Sequence, residues 1–138
     1  MTNTNLSSNT DYQIFMAGLN KNTPIPTEIK FHKQSRLLEI TFNNNQRFQF
    51  SSEFLRVYSP SAEVQGHGPG QETLQTHKQD VTIVKIEPIG QYAIQPHFSD
   101  GHNTGIYSWD LLYNYGINQE KMWHHYLQRL EAADIKHD

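Results

Sequence analysis

Two histidines lie in short glycine-bearing stretches: Gly66-His67-Gly68-Pro69-Gly70 and Asp100-Gly101-His102-Asn103-Thr104-Gly105. Imidazoles presented by loops, with Glu63, His97 and Asp100 close in sequence, are the raw material of a metal site. A catalytic zinc wants three protein ligands of the His or carboxylate type. In that reading His67 and His102, with Glu63 or Asp100, hold Zn or Fe. The same composition also suits two well-made turns in which these groups only hydrogen-bond. The spacing favours turns. There is no His-x-x-x-His or His-Glu-x-x-His pair, and the adjacent His124 and His125 point in different directions on a helix.

Other chemistries find less support. A non-haem iron oxygenase needs two histidines and a carboxylate on one face of the metal. No histidine here is followed at His-x-Asp or His-x-Glu spacing. Ser59, Ser61 and Ser108 lie outside any Gly-x-Ser-x-Gly elbow, so they read as turn and cap residues. The glycine-rich loop lacks the Lys-Ser/Thr ending of a phosphate loop, and Pro69 removes one backbone donor from it. Tyr107, Trp109, Tyr113, Tyr115 and Trp123 cluster late in the chain, where they supply core or a recognition surface.

The elements that position these residues come from a chain of 138 residues, the size of one domain. Seven Phe, seven Tyr and two Trp supply large buried areas. A net charge of −3 with interspersed signs lacks the basic footprint of a nucleic-acid binder. The absence of cysteine excludes disulfides, thiolate ligands and cysteine nucleophiles, and fits a cytoplasmic location. No segment has the length and apolarity of a membrane span, and the N-terminus lacks signal-peptide character.

Residues 1–25 read as a flexible arm, with an apolar patch at Tyr12, Ile14, Phe15, Met16 and Leu19 and an extended Asn22–Pro26 linker. Apolar residues then alternate at Ile29/Phe31, Leu38/Ile40/Phe42 and Phe48/Phe50, which predicts three half-buried strands in a meander. Ser51 or Ser52 caps a short helix through Val57. A second hairpin runs from Val81 to Ile86 and from Tyr92 to Phe98, turning around Pro88-Ile89-Gly90. Ser108 caps a helix that Gly116 ends as a left-handed C′ residue, and Asn118 caps a last helix. Glu131 to Asp138 read as a fraying end. The expected fold is α+β: a single antiparallel sheet with short helices over residues 26–116, plus a C-terminal helix and tail over 117–138.

Three strings carry a family resemblance: Leu55 to Gly68 (LRVYSPSAEVQGHG), Val84 to Ala93 (VKIEPIGQYA) and Asp100 to Trp109 (DGHNTGIYSW). In order and type they resemble the DUF971 family, the gamma-butyrobetaine hydroxylase-like N-terminal domain, over roughly residues 26–116. That domain precedes the catalytic domain of carnitine-synthesis oxygenases and resembles a module of a plastid iron–sulfur scaffold ATPase. In the oxygenases it holds a structural zinc through three cysteines and a histidine. The resemblance places the histidine at His102 and the cysteines at Ser59, Ser61 and Val64, so the zinc is expected to be lost. It implies an antiparallel α+β domain; the missing iron triad, the missing cysteines and the retained loop shapes then lead to the expectation of a stand-alone accessory module with no catalysis and no cofactor. The expected partner is a protein, of unknown identity or a second copy of the chain, and not nucleic acid or membrane. Ser59, Ser61, Glu63, Gln65, His67, His102, Tyr107 and Trp109 are expected to shape or contact it. The rival reading is a metal-binding protein of iron or iron–sulfur metabolism, using His67 and His102.

Overall fold

The computed structural model describes residues 22–137. The sequence-predicted meander is present as β1 (Pro26–His32), β2 (Leu37–Phe42) and β3 (Arg47–Ser51), antiparallel in that order. Ile40 stands opposite Ile29 on one side and Phe48 on the other. Leu38, Ile40, Phe42 and Phe50 are fully buried, which is the apolar face that the period-two pattern predicts. The arm expected over residues 1–21, with its apolar patch, lies outside the described residues. Residues 22–25, assigned to the same arm, are tied down: the Asn43 amide donates to Ile25 O at 2.8 Å, and Thr23 is buried.

The α+β class stands, but the strands divide between two sheets instead of one. The second contains β4 (Ile83–Ile89), β5 (Ala93–Phe98) and β6 (Tyr107–Ser108), again antiparallel. The division begins at Ser51, which is both the last residue of β3 and the N-cap of α1 (Ser52–Val57). Its hydroxyl accepts from the Phe54 amide at 2.9 Å, so the chain enters a helix at the edge of the first sheet. Strand β4 continues through Pro88, where a turn was expected. The proline is tolerated because β4 is an edge strand, and the chain reverses at Gly90, whose φ is +53°. One core joins the two sheets to α1 and to the start of the last helix, drawing Phe50, Phe54, Ile94, Phe98, Tyr107 and Leu112 together.

A single turn, α2 (Ala62–Gln65), interrupts the polar loop after α1. The last element is one helix, α3 (Trp109–Ala132), where two were expected. Ser108 caps it as predicted, accepting from the Leu111 amide at 3.1 Å. Gly116 does not end it; it is an interior helical residue. Its reason is close approach: a Cβ there would lie 2.4 Å from Phe48 Cγ and Cδ2. Glycine lets α3 settle on β3, at a cost in helix propensity of about 1 kcal/mol. Gly116→Ala is therefore expected to lower stability by about 1 kcal/mol, since overpacking of about 1–3 kcal/mol exceeds the propensity regained. Urea denaturation measures this, and a stabilised variant would refute the packing role.

The end of the chain does not fray over 131–137. After α3, Ile135 packs with Val57, Tyr126 and Leu130. His137 Nε2 meets Glu53 Oε2 at 2.7 Å, and its ring stands edge-on to Trp123 at 5.5 Å. The polar composition of this stretch hid its two anchors, one apolar and one ionic.

Candidate functional site

His102 is the centre of the two-loop region. It follows β5 in the turn that leads back to β6, where its carbonyl accepts from the Phe98 amide at 2.9 Å. The residue is 7% exposed. Its Nε2 lies 2.8 Å from Ser59 Oγ and 3.4 Å from Ser61 Oγ. Its Nδ1 lies 2.9 Å from Glu63 Oε1, which also accepts from Thr104 Oγ1 at 3.3 Å. Burial, together with the nearby Arg56 guanidinium, holds the His102 pKa below the usual histidine value, against the opposing pull of Glu63 and Asp100. The ring is therefore neutral near pH 7.

The loop around Ser59 is built to make these bonds. Pro60 holds the segment extended, and Ser59 and Ser61 present their hydroxyls to one ring nitrogen. The Ser61 amide donates to Ser59 Oγ at 3.3 Å, and Gln65 Nε2 donates to Ser59 O at 2.9 Å. Gly105 closes over them: a Cβ there would lie 2.5 Å from Ser59 Oγ.

Ser59, His102 and Glu63 thus occur in the bonding order of a nucleophile, its base and the group that orients the base. The sequence pattern did not disclose this, because no elbow motif is involved. Ser59 is 0% exposed, and Gly105 lies directly against its Oγ.

The zinc centre implied by the resemblance does not fit these residues. Hydroxyls stand at 59 and 61, and the third position is the buried alkyl side chain of Val64. Both nitrogens of His102 are already engaged. A structural zinc wants four thiolate or imidazole donors. Among the described residues no three His, Asp or Glu side chains gather as a metal site. His67 is exposed and is not brought to His102; its backbone amide donates to Gln71 Oε1 at 3.2 Å.

A second charged group, unannounced by any motif, adjoins the first. Asp100 Oδ2 accepts from Arg56 Nε at 2.9 Å and from Lys78 Nζ at 2.8 Å, while Oδ1 accepts from the His102 amide at 3.2 Å. Burial alone would raise the Asp100 pKa, but these three donors and the Arg56 charge together bring it down to about 2. Arg56, Lys78, Asp100, His102 and Thr104 frame an open cleft of about 320 Å³.

The remaining expected site residues divide between surface and interior. Glu63 and His67 are exposed and Gln65 is half-buried. Tyr107 and Trp109, expected at a binding face, are interior together with Ser59, Ser61 and His102. The Tyr107 hydroxyl donates to Leu55 O, and burial raises its pKa far beyond the usual tyrosine value. Trp109 Nε1 donates to Gln91 O at 2.7 Å. The surface residues that sequence reasoning missed are Asn103, Thr104 and Ile106, the last 49% exposed. No local signal marked them, since Ile106 precedes β6 in a stretch without regular structure.

The family described as gamma-butyrobetaine hydroxylase-like, N-terminal, matches residues 29–113. Among solved structures, one NMR solution structure is 51% identical with a TM-score of 0.72, over 84% of this chain and 86% of the other. A second NMR solution structure is 41% identical with a TM-score of 0.73, over 85% and 92%. A crystal structure of a DUF971-family protein of unknown function from Acidithiobacillus ferrooxidans is 37% identical with a TM-score of 0.53, over 65% and 88%. No curated protein matches the chain.

Proposed function

The chain belongs to the gamma-butyrobetaine hydroxylase-like N-terminal family, and on that premise we propose that it is a non-catalytic, cytoplasmic accessory module that binds another protein. The observation that carries this reading is the sealing of Ser59. Among the described residues, the hydroxyl of the Ser59, His102 and Glu63 arrangement is fully buried with Gly105 against it, which supports a role in shaping loops rather than in meeting a substrate. What it shapes is a surface. Glu63 and Thr104 bond across from one loop to the other, and Asn103, Thr104 and Ile106 stand exposed beside them. An exposed isoleucine within a polar rim is the composition of a small docking face.

The test uses Asn103→Arg with Ile106→Glu, which alters this face while leaving the bonds of Ser59, His102 and Glu63 in place. The wild-type chain and the variant, with matched melting temperatures, are used to capture partners from lysate of the source cell. A partner held by the wild type is expected to be retained at least about tenfold less by the variant, the effect of losing roughly 1.4 kcal/mol. Equal capture by both would remove the face from consideration.

A further inference from the structure

We infer that this chain joins its two loops by a metal-free hydrogen-bonded clasp, Ser59–Ser61–His102–Glu63, at the position where the resemblance implies zinc. The bonds can be assigned from donor chemistry. A carboxylate only accepts, so the contact of Glu63 Oε1 with His102 Nδ1 at 2.9 Å places the ring proton on Nδ1. In the neutral ring Nε2 must then accept. Ser59 Oγ, at 2.8 Å, donates to it, while the Ser61 amide donates to Ser59 Oγ at 3.3 Å. Ser61 Oγ, at 3.4 Å from Nε2, makes the longer of that nitrogen's two hydroxyl contacts.

The assignment leaves no place for a metal ion. A histidine binds metal through a ring lone pair. Here one nitrogen carries its proton, and the lone pair of the other is taken by a serine hydroxyl. The third expected ligand position is Val64, 3% exposed, which packs and cannot coordinate. The clasp closes a link of 43 residues between Ser59 and His102, the long-range connection that a metal would otherwise provide. Gly105 belongs to the same device, because only a residue without Cβ lets the second loop lie against Ser59 Oγ. The inference concerns how the loops are held, and stands whether or not the face binds a partner.

Untagged protein is unfolded in denaturant with EDTA and refolded with and without added zinc. The melting temperature is expected to be the same in both, with bound zinc well below one ion per chain. Stoichiometric zinc, or a rise in melting temperature of about 5 °C or more with zinc, would overturn the inference. Ring-nitrogen NMR gives the second readout. His102 is expected as the Nδ1–H tautomer, and Glu63→Gln, which changes only an exposed acceptor, is expected to move its ring-nitrogen shifts. An Nε2–H tautomer in the wild type, or unchanged shifts in Glu63→Gln, would show that the clasp is not formed as assigned.

Discussion

Asp100→Ala is expected to cost about 2 kcal/mol of folding stability, below what removing one partner of a fully buried ion pair costs, because the Asp100 side chain is 21% exposed at the cleft. Asp100 supports three donors at once: Arg56 Nε, Lys78 Nζ and the His102 amide. Arg56 cannot recover by moving into solvent. Its side chain is 9% exposed, and its Nη1 is buried without a partner. Lys78 can recover in part, because it stands nearer the surface. The loss falls mostly on Arg56, which keeps its charge at all accessible pH values. Asp100→Asn is expected to cost less, since the amide oxygen still accepts from the His102 backbone. Urea midpoints with unchanged slope give the measurement. A loss below about 1 kcal/mol in Asp100→Ala would mean that water replaces the carboxylate at Arg56.

The same group sets an acid limit. Its folded pKa of about 2 lies below the ordinary value of 3.8. A depressed carboxylate pKa means that the unfolded chain binds the proton first as the pH falls. The contribution of Asp100 is thus fully present above pH 3.8 and is lost as the pH falls from there through about 2. In Asp100→Asn this part of the acid transition is expected to be missing, so its stability falls less steeply than that of the wild type between those pH values.

Much of the scaffold was legible because its signals are local. The alternation at Leu38, Ile40 and Phe42 needs only one buried sheet face, and that face is buried. Ser51 and Ser108 announce helix starts through hydroxyls that reach an amide three residues on, and both do so. The errors fall where distant residues decide. Gly116 looks like a helix end until Phe48 is seen against it. The division into two sheets depends on how α1 and α3 pack, which no strand pattern encodes. Glu131 to His137 looks polar enough to fray until Glu53, far back in α1, is found to receive His137.

The residues alone offered His102 with His67 and a carboxylate, and only the family resemblance set it beside Ser59 and Ser61. His102 was singled out together with His67, because both lie among glycines. The real partners of His102 are the serines and Glu63 on the preceding loop. Serine was read as turn material, which is its common role. Composition alone could not show that a ring from 43 residues away lies between the hydroxyls of Ser59-Pro60-Ser61 and Glu63. Arg56 was hidden for a similar reason, whereas Asp100 was singled out only as a metal ligand and not as the partner of Arg56. A charged residue in a short helix suggests solvent, yet all six residues of α1 are buried. The helix is central, and its two charges each have a partner from a later part of the chain, Asp100 for Arg56 and His137 for Glu53.

That central position makes Phe54→Ala the other large expected loss, at about 3–5 kcal/mol. Phe54 is 2% exposed, and its ring lies near-parallel to Phe50 at 5.9 Å and edge-on to Tyr115 at 5.8 Å. It also meets Tyr58 at 5.3 Å and Trp123 at 6.4 Å. Phe50 belongs to the first sheet, whereas Trp123 packs toward Tyr126 and the His137 end of the chain. Removing the ring therefore leaves a cavity between the main core and the C-terminal packing. Neighbours fixed to the first sheet and to a long helix cannot all collapse into it, which puts the cost at the upper part of the range for buried aromatics. Phe54→Leu keeps much of the volume and is expected to cost about 1.5 kcal/mol or less. Equilibrium unfolding compares the two, and hydrogen exchange of the residues after Ala132 reports where the damage travels. Faster exchange there in Phe54→Ala is expected even under conditions where β2 remains protected, because the tail is held by the packing that Trp123 and α1 share. Equal costs for the alanine and leucine variants would show that the site refills, and that Phe54 does not join the two halves of the core.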